Sequence, residues 1–139
     1  MKELNILALR ENLPQVTEFV DGQLVNAGCP ENVRTQVCLA VEEIFVNIAS
    51  YSYEPSVGSV WIKLEVSDRS KDVIISFTDT GIPYDPLSRP DADTKMPPKE
   101  RKKGGWGIFM IKQFMDDMRY EYRDGQNILT IIKSWNAVK

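Results

Sequence analysis

The sequence predicts an α+β fold, a two-layer sandwich in which helices cover one face of a mixed, mostly antiparallel sheet. Two observations lead to this fold class. The predicted elements follow the order strand, two helices, two strands, helix and two strands, which is not the regular alternation of a parallel α/β sheet. The last four strands also form two adjacent pairs, each joined by a short polar turn, as in antiparallel hairpins. At this length, we expect residues 1–139 to form a single domain.

The N-terminal part predicts one strand and one helix. Residues 4–9 are mostly apolar and predict a short first strand. Asn12 is a suitable helix N-cap, and Pro14 fits the first turn that would follow it. We expect this helix to run to about Ala27, where Gly28 ends it.

A second helix is predicted from Pro30 to about Tyr53, before Pro55 and Gly58 break the pattern. Its apolar residues recur with helical spacing and share one face: Val33, Val37, Val41, Ile44 and Ile48. This face predicts a helix that packs directly on the core.

The remaining elements are two predicted hairpins and one more helix. Residues 59–67 and 72–78 form the first pair of strands, and residues 118–123 and 128–133 form the second. Asp124-Gly125 is a strong signal for the tight turn of the second hairpin. Residues 107–115 predict the third helix.

The segment from residue 85 to residue 105 has a different composition. It contains four prolines and six lysine or arginine residues, with little apolar content and no periodicity. A loop of this length inside a compact domain is usually functional or disordered. We expect a basic lid that phosphate groups bring into order.

Composition and charge exclude several classes of function. The net charge of −3 argues against a nucleic-acid-binding protein. There is no histidine, which excludes histidine bases, histidine metal ligands and phosphohistidine chemistry. Cys29 and Cys38 lack metal-site spacing and predict two free thiols. Because the sequence shows neither a signal peptide nor a membrane span, we expect a cytoplasmic protein without membrane contacts.

Three patches carry residues suited to nucleotide chemistry. In the second helix, Glu43 and Asn47 are four residues apart and are neighbours on one surface. A carboxylate can take a proton and an amide oxygen can bind Mg²⁺, although a solvated helix edge would show the same pair. Asp79 and Gly81 follow a strand, where a carboxylate acceptor suits an amino group and a plain turn is the alternative.

The third patch is the glycine-rich sequence at residues 104–108, directly before the third helix. Glycines at a helix start expose backbone N–H groups, which favour phosphate. The sequence is not a Walker A loop, and a simple loop end remains the alternative.

In their order and spacing, the three patches resemble the nucleotide-binding boxes of the histidine-kinase-like (GHKL) ATPase superfamily. The sequences DTGIPYDP at residues 79–86 and GGWGI at residues 104–108 look like those of its anti-sigma factor serine/threonine protein kinase branch. This resemblance extends over the whole chain and implies the Bergerat-type ATP-binding fold.

The resemblance also implies roles for individual residues. Glu43 would be the general base, Asn47 would bind Mg²⁺, and Asp79 would accept a hydrogen bond from the adenine amino group. Further ATP contacts are implied for Gly81, Tyr84, Arg101, Gly104, Gly105 and Gly107. Relatives tend to open the last strand with Gly-Thr, whose threonine helps to hold adenine, and here Gln126-Asn127 stand near that place.

The function implied is an ATP- and Mg²⁺-dependent kinase that phosphorylates a STAS-type anti-anti-sigma protein. The resemblance also allows a sigma factor as a partner, and a homodimer. The alternative is a nucleotide-gated binding module without significant kinase activity. A general base at Glu43 favours the kinase, because ATP binding alone does not need one.

Overall fold

In the computed structural model, residues 2–52, 58–67, 69, 71–83, 85 and 105–135 are described. The elements follow the order predicted from the sequence. The strands are β1 (Lys2–Leu7), β2 (Ser59–Ser67), β3 (Asp72–Asp79), β4 (Asp117–Arg123) and β5 (Gln126–Ser134). The helices are α1 (Leu13–Asn26), α2 (Glu31–Asn47) and α3 (Gly105–Phe114), with a 3₁₀ turn at Arg10–Asn12 and a π-helical turn at Ile48–Ser52.

The five strands form one sheet in the order β1-β2-β3-β5-β4. All four pairings in this sheet are antiparallel, so it contains no parallel pair among the described strands. The position of β5 between β3 and β4 places the end of β3 opposite the start of β5, with Asp79 paired to Asn127. The predicted α+β sandwich is confirmed, with a described sheet that is antiparallel rather than mixed.

The core lies between the sheet and the helices. Helix α2 contacts both α1 and α3, and the five apolar residues predicted for its core face are all buried. The strands contribute the other half of the core through alternate positions, such as Ile75 and Phe77 of β3 and Leu129 and Ile131 of β5. Since side chains alternate across a strand, the next positions on these inward faces belong to Asp79 and Asn127.

The turns follow local chemistry in most places. Gly28, after α1, has φ +79°, and the turn between β4 and β5 has φ +53° at Asp124 and +78° at Gly125. Two successive positive φ values are those of the tight hairpin turn that Asp-Gly predicts.

Cys29 and Cys38 are free, as expected.

Asn12 stands at the predicted N-cap position of α1, but its side chain does not cap the helix. This residue has helical backbone angles and makes no side-chain cap, because a 3₁₀ turn precedes α1. Its Nδ2 instead donates to the carbonyl of Leu7 at 2.9 Å. Helix α3 begins two residues earlier than predicted, at Gly105.

Part of the predicted organisation lies outside the described residues, namely Tyr53 and nearly all of the basic segment, residues 86–104. No helix in the described part of the chain is long and apolar enough to cross a membrane.

Candidate functional site

Asn47 is the last residue of α2 and is followed directly by the π-helical turn. Its side chain is buried, at 8% exposure, and its Nδ2 has no hydrogen-bond partner in the part of the chain that is described. Leaving such a group unsatisfied costs about 1–3 kcal/mol, and π-helical turns are frequent at functional sites. An unsatisfied amide at this place is therefore a group that a polar ligand could complete.

The π-helical turn is held from the other side by Arg10, which follows β1. The Nη2 of Arg10 donates to Ser50 Oγ at 2.8 Å. This bond joins the 3₁₀ turn to the segment immediately after Asn47. Asn47 therefore lies between α2 and a turn that is hydrogen bonded to the start of the chain.

Glu43 lies one helical turn before Asn47, and its carboxyl group packs against Gly107 of α3. A Cβ atom built on Gly107 would lie 2.1 Å from Glu43 Oε2 and 2.8 Å from Cδ. Both distances are shorter than real contacts, so only glycine admits the carboxyl group at this position. The contact joins the second and third sequence patches, which the sequence alone could not show.

The same packing changes the acidity of Glu43. Burial raises the pKa of its carboxyl group above the ordinary value, and the negative charge of Glu42 raises it further. Desolvation disfavours the charged form of an acid. A half-buried carboxylate with a raised pKa is a stronger proton acceptor than an exposed one.

Asp79 closes β3 with a buried carboxylate, at 3% exposure. Its Oδ1 accepts a hydrogen bond from the backbone N–H of Gly81 at 2.9 Å, which forms an Asx turn. The same oxygen accepts a second hydrogen bond, at 3.0 Å, from the Nδ2 of Asn127. The carboxylate is therefore held in one orientation as the chain leaves the sheet.

Asn127 and Tyr120 complete this arrangement. From the sequence, Asn127 is named only as standing near the adenine-contact place of relatives, and Tyr120 is missed. The Nδ2 of Asn127 also donates to the carbonyl of Ile82 at 2.8 Å, and Tyr120 donates its hydroxyl hydrogen to Asn127 Oδ1. A signal was present, since Asn127 is a polar residue at an inward position of a strand and such a residue needs partners.

The predicted site residues therefore fall into two groups with separate contacts. Glu43 and Gly107 touch, with Asn47 one turn along α2, and Asp79 and Gly81 are hydrogen bonded at the end of β3. Gly105 begins α3, two residues before Gly107. Tyr84, Arg101 and Gly104 lie outside the described residues.

The residues present fit a nucleotide with Mg²⁺. No group of three or more acidic, cysteine or histidine side chains in the described residues could hold a metal alone. Mg²⁺ at nucleotide sites takes one or two protein ligands and completes its shell with phosphate and water. The Asn47 amide suits that role, because its oxygen can bind Mg²⁺. Rotating the amide group by 180° places this oxygen where Nδ2 now lies. Asp79 offers a buried acceptor, and the Gly107 position leaves room beside Glu43.

Comparison with known proteins identifies the family of this chain. The sequence profile of the histidine kinase-like ATPase domain matches residues 6–133. The chain is 27% identical over 99 residues to the serine/threonine-protein kinase BtrW of Bordetella bronchiseptica, which covers 71% of this chain and 69% of BtrW. It is also 22% identical to the serine-protein kinases RsbW of Bacillus thuringiensis and Bacillus cereus. Each of these alignments spans 93 residues, which are 66% of this chain and 58% of the relative. With the fold, the site and a profile match over nearly its whole length, the chain belongs to the histidine kinase-like ATPase domain family.

Proposed function

We propose that this protein is an ATP-dependent serine/threonine protein kinase that acts as an anti-sigma regulatory factor on a STAS-type anti-anti-sigma partner. One observation carries the kinase part of this proposal: the Glu43 carboxyl group packs on Gly107, beside the glycine-rich start of α3. A proton acceptor at a predicted phosphate-binding helix start is needed for transfer to a hydroxyl group, and it is not needed for binding. The protein kinases among the relatives support the same reading.

In this proposal each group of residues has one task. Asp79 accepts a hydrogen bond from the adenine amino group, with Gly81 allowing close approach. Asn47 ligates Mg²⁺, and the backbone N–H groups of the α3 start, including Gly105 and Gly107, face the phosphates. When bound, ATP supplies the phosphoryl group and Mg²⁺ neutralises phosphate charge. Tyr84, Arg101 and Gly104 keep their predicted roles as further nucleotide contacts.

Glu43 accepts the proton of the attacking serine or threonine hydroxyl group. The chain contains no histidine that could take this proton. Burial raises the pKa of the Glu43 carboxyl group above its ordinary value, and a carboxylate becomes a better proton acceptor as its pKa rises. The carboxyl group is also confined between α2 and Gly107, so little freedom is lost when the hydroxyl group arrives.

The second candidate function is a nucleotide-gated binding module without significant kinase activity. It would use the Asp79 and Asn47 sites in the same way and would not use Glu43. The half-buried acid at Glu43 favours the kinase, because a raised pKa costs stability at neutral pH and a pure binding site gains nothing from it.

Two measurements separate these functions. Calorimetry with ATP at millimolar Mg²⁺ should show binding that Asp79→Asn weakens, because the amide replaces an acceptor by a partial donor. Incubation with γ-labelled ATP and STAS-type proteins from the same genome should label one of them on serine or threonine. Binding without any labelling would favour the binding module, and no ATP binding by the wild type would overturn both functions.

We propose one catalytic domain over residues 1–139, in the cytoplasm, with a sigma factor as a further partner and a homodimer as the assembly. The continuous sheet from β1 to β5 supports a single domain. Size-exclusion chromatography with light scattering, with and without the partner, tests the assembly.

A further inference from the structure

The 3₁₀ turn that follows β1 is tied together by its own hydrogen bonds. The Nδ2 of Asn12 donates to the carbonyl of Leu7 at 2.9 Å, and the backbone N–H of Asn12 donates to the carbonyl of Leu9, also at 2.9 Å. Since Leu7 is the last residue of β1 and pairs with Ser59 of β2, this turn is anchored on the sheet. Arg10, which lies within the turn, is therefore presented from an anchored backbone.

Arg10 joins this anchored turn to the π-helical turn at the end of α2. Its Nη2 donates to Ser50 Oγ at 2.8 Å, across 40 positions of sequence. A hydrogen bond from a charged donor is stronger than one between neutral groups. Nearby, the backbone N–H of Ala8 donates to the carbonyl of Gly58 at 2.8 Å. The chain between Asn47 and β2 is thus held to the start of the chain at two points, Ser50 and Gly58.

The π-helical turn depends on outside contacts more than an α-helix does. Such turns are rare and occur mostly as single turns within α-helices, so local hydrogen bonding alone favours an α-helix through Ile48–Ser52. Asn47 lies directly before this turn, and no bond at its buried Nδ2 holds the amide within the described part of the chain. The direction of the amide therefore depends on the path of the backbone.

We infer that Arg10 is a positioning residue for Mg²⁺ binding. By its bond to Ser50 it keeps the π-helical turn in the form that presents the Asn47 amide to the metal. This inference rests on the proposed function, in which Asn47 ligates Mg²⁺. Arg10 acts through Ser50 and the backbone, and neither of these two residues belongs to the nucleotide contacts predicted from the sequence.

The chemistry of Mg²⁺ makes its binding sensitive to such an anchor. This ion demands near-ideal octahedral geometry, with ligand oxygens at about 2.0–2.1 Å. A small displacement of the Asn47 amide therefore weakens the metal contact, while the base and the rest of the nucleotide keep their own contacts. Loss of the anchor should reduce the effect of Mg²⁺ on ATP affinity and leave the affinity for metal-free ATP unchanged.

The test measures a magnesium ratio, the dissociation constant of ATP in EDTA divided by that in millimolar Mg²⁺, by calorimetry on the full chain. Arg10→Ala and Ser50→Ala should each lower this ratio about fivefold, which corresponds to the loss of one hydrogen bond. The double variant should lower it no further than either single variant, because both changes remove the same bond.

Arg34→Ala is the matched control. The Nε of Arg34 bonds to Asp21 Oδ1 at 2.9 Å and so joins α2 to α1, but Arg34 lies in the first turn of α2 and Asn47 is its last residue. The magnesium ratio of this variant should equal that of the wild type. Hydrogen exchange of the nucleotide-free proteins is a second measurement. The amides of residues 48–52 should exchange faster in Arg10→Ala than in the wild type or in Arg34→Ala.

The outcomes distinguish this inference from the proposed function. A magnesium ratio that is unchanged in both single variants, or that falls equally in Arg34→Ala, overturns the inference alone. A fall in Arg10→Ala without one in Ser50→Ala also overturns it, because the charge of Arg10 and not its bond would then be responsible. A wild type that binds no ATP overturns both. Should Arg10→Ala fail to fold, Ser50→Ala decides the question, since it keeps the charge and removes only the acceptor.

Discussion

Two buried asparagines of the candidate site differ in how their amide groups are satisfied. Asn127, on the sheet, has partners at both ends of its amide, whereas Asn47, at the end of α2, keeps a buried Nδ2 without a partner in the described residues. Their neighbours differ in the same way. Asp79 takes two hydrogen bonds at one oxygen, while the Glu43 carboxyl group is half-buried with a raised pKa.

This difference separates two regions, the sheet side (Asp79, Tyr120 and Asn127) and the helix side (Glu43, Asn47 and Gly107). On the sheet side, the polar groups are hydrogen bonded to one another. The helix side retains unfavourable features, which persist at functional sites because a ligand or a reaction uses them. We therefore expect substitutions on the sheet side to change affinity for the base. On the helix side, we expect substitutions at Glu43 to change the rate and substitutions at Asn47 to change Mg²⁺-dependent binding.

The largest effect is expected at Glu43. Glu43→Gln keeps the shape of the side chain and removes the base, so phosphotransfer should fall by about 10²–10⁴-fold while the ATP dissociation constant stays within about twofold. Glu65→Gln is the control, since it makes the same chemical change at an exposed residue of β2. Single-turnover labelling and calorimetry measure the two quantities. A wild-type transfer rate in Glu43→Gln would remove the catalytic assignment and favour the binding module.

The next effect is expected at Gly107. Gly107→Ala places a methyl group 2.1 Å from Glu43 Oε2, and the flexible glutamate must move aside. A displacement of about 1 Å can cost roughly 10²-fold in rate, although alanine in a helix adds up to about 1 kcal/mol of stability relative to glycine. We expect a stable, slow enzyme.

Gly22→Ala in α1 is the matched control, because nothing lies within 4 Å of a Cβ atom there. It should gain helix stability at an unchanged transfer rate. If Gly107→Ala is as active as Gly22→Ala, the contact between Glu43 and Gly107 does not position the base.

A smaller effect is expected in the pH dependence. Because burial raises the pKa of Glu43, the acid limb of the transfer rate should lie above the pH at which an ordinary glutamate titrates. Glu42→Gln removes the neighbouring charge and should move this limb to lower pH. The transfer rate of the wild type, measured from pH 4.5 to 8, checks the position of the acid limb. If Glu42→Gln has the same acid limb as the wild type, burial alone raises the pKa of Glu43.

The same raised pKa has a consequence for stability. The folded state binds the Glu43 proton more tightly than the unfolded state, so this contribution to stability is present below the ordinary pKa and is lost as the pH rises through the raised pKa. Glu43→Gln should therefore be more stable than the wild type at neutral pH. Urea unfolding at pH 4.5 and pH 7.5 measures the difference, which should be larger at the higher pH.

The sequence could predict the parts of this molecule that local patterns determine. The apolar face of α2, the strand pairs and the Asp124-Gly125 turn each follow from neighbouring residues. The contact of Glu43 with Gly107 joins separate segments, and no pattern records which residues meet. The inward position of Asn127 was not predicted for another reason: the predicted last strand began at residue 128, whereas β5 begins at Gln126.

The smallest effect, and the most direct test of the comparison, is the same substitution at both asparagines. Asn47→Leu removes an unsatisfied buried donor and should raise the free energy of unfolding by about 1 kcal/mol, or the melting temperature by about 4 °C, while Mg²⁺-dependent ATP binding is lost. Asn127→Leu removes the shared partner of Tyr120 and Asp79 and should lower stability by about 2 kcal/mol. Thermal unfolding of the nucleotide-free variants gives both values. Shifts of the same sign would mean that Asn47 is satisfied in solution, and the helix side would then be as complete as the sheet side. Opposite signs would show that stability is given up at Asn47 alone, where the proposed function needs a ligand for Mg²⁺.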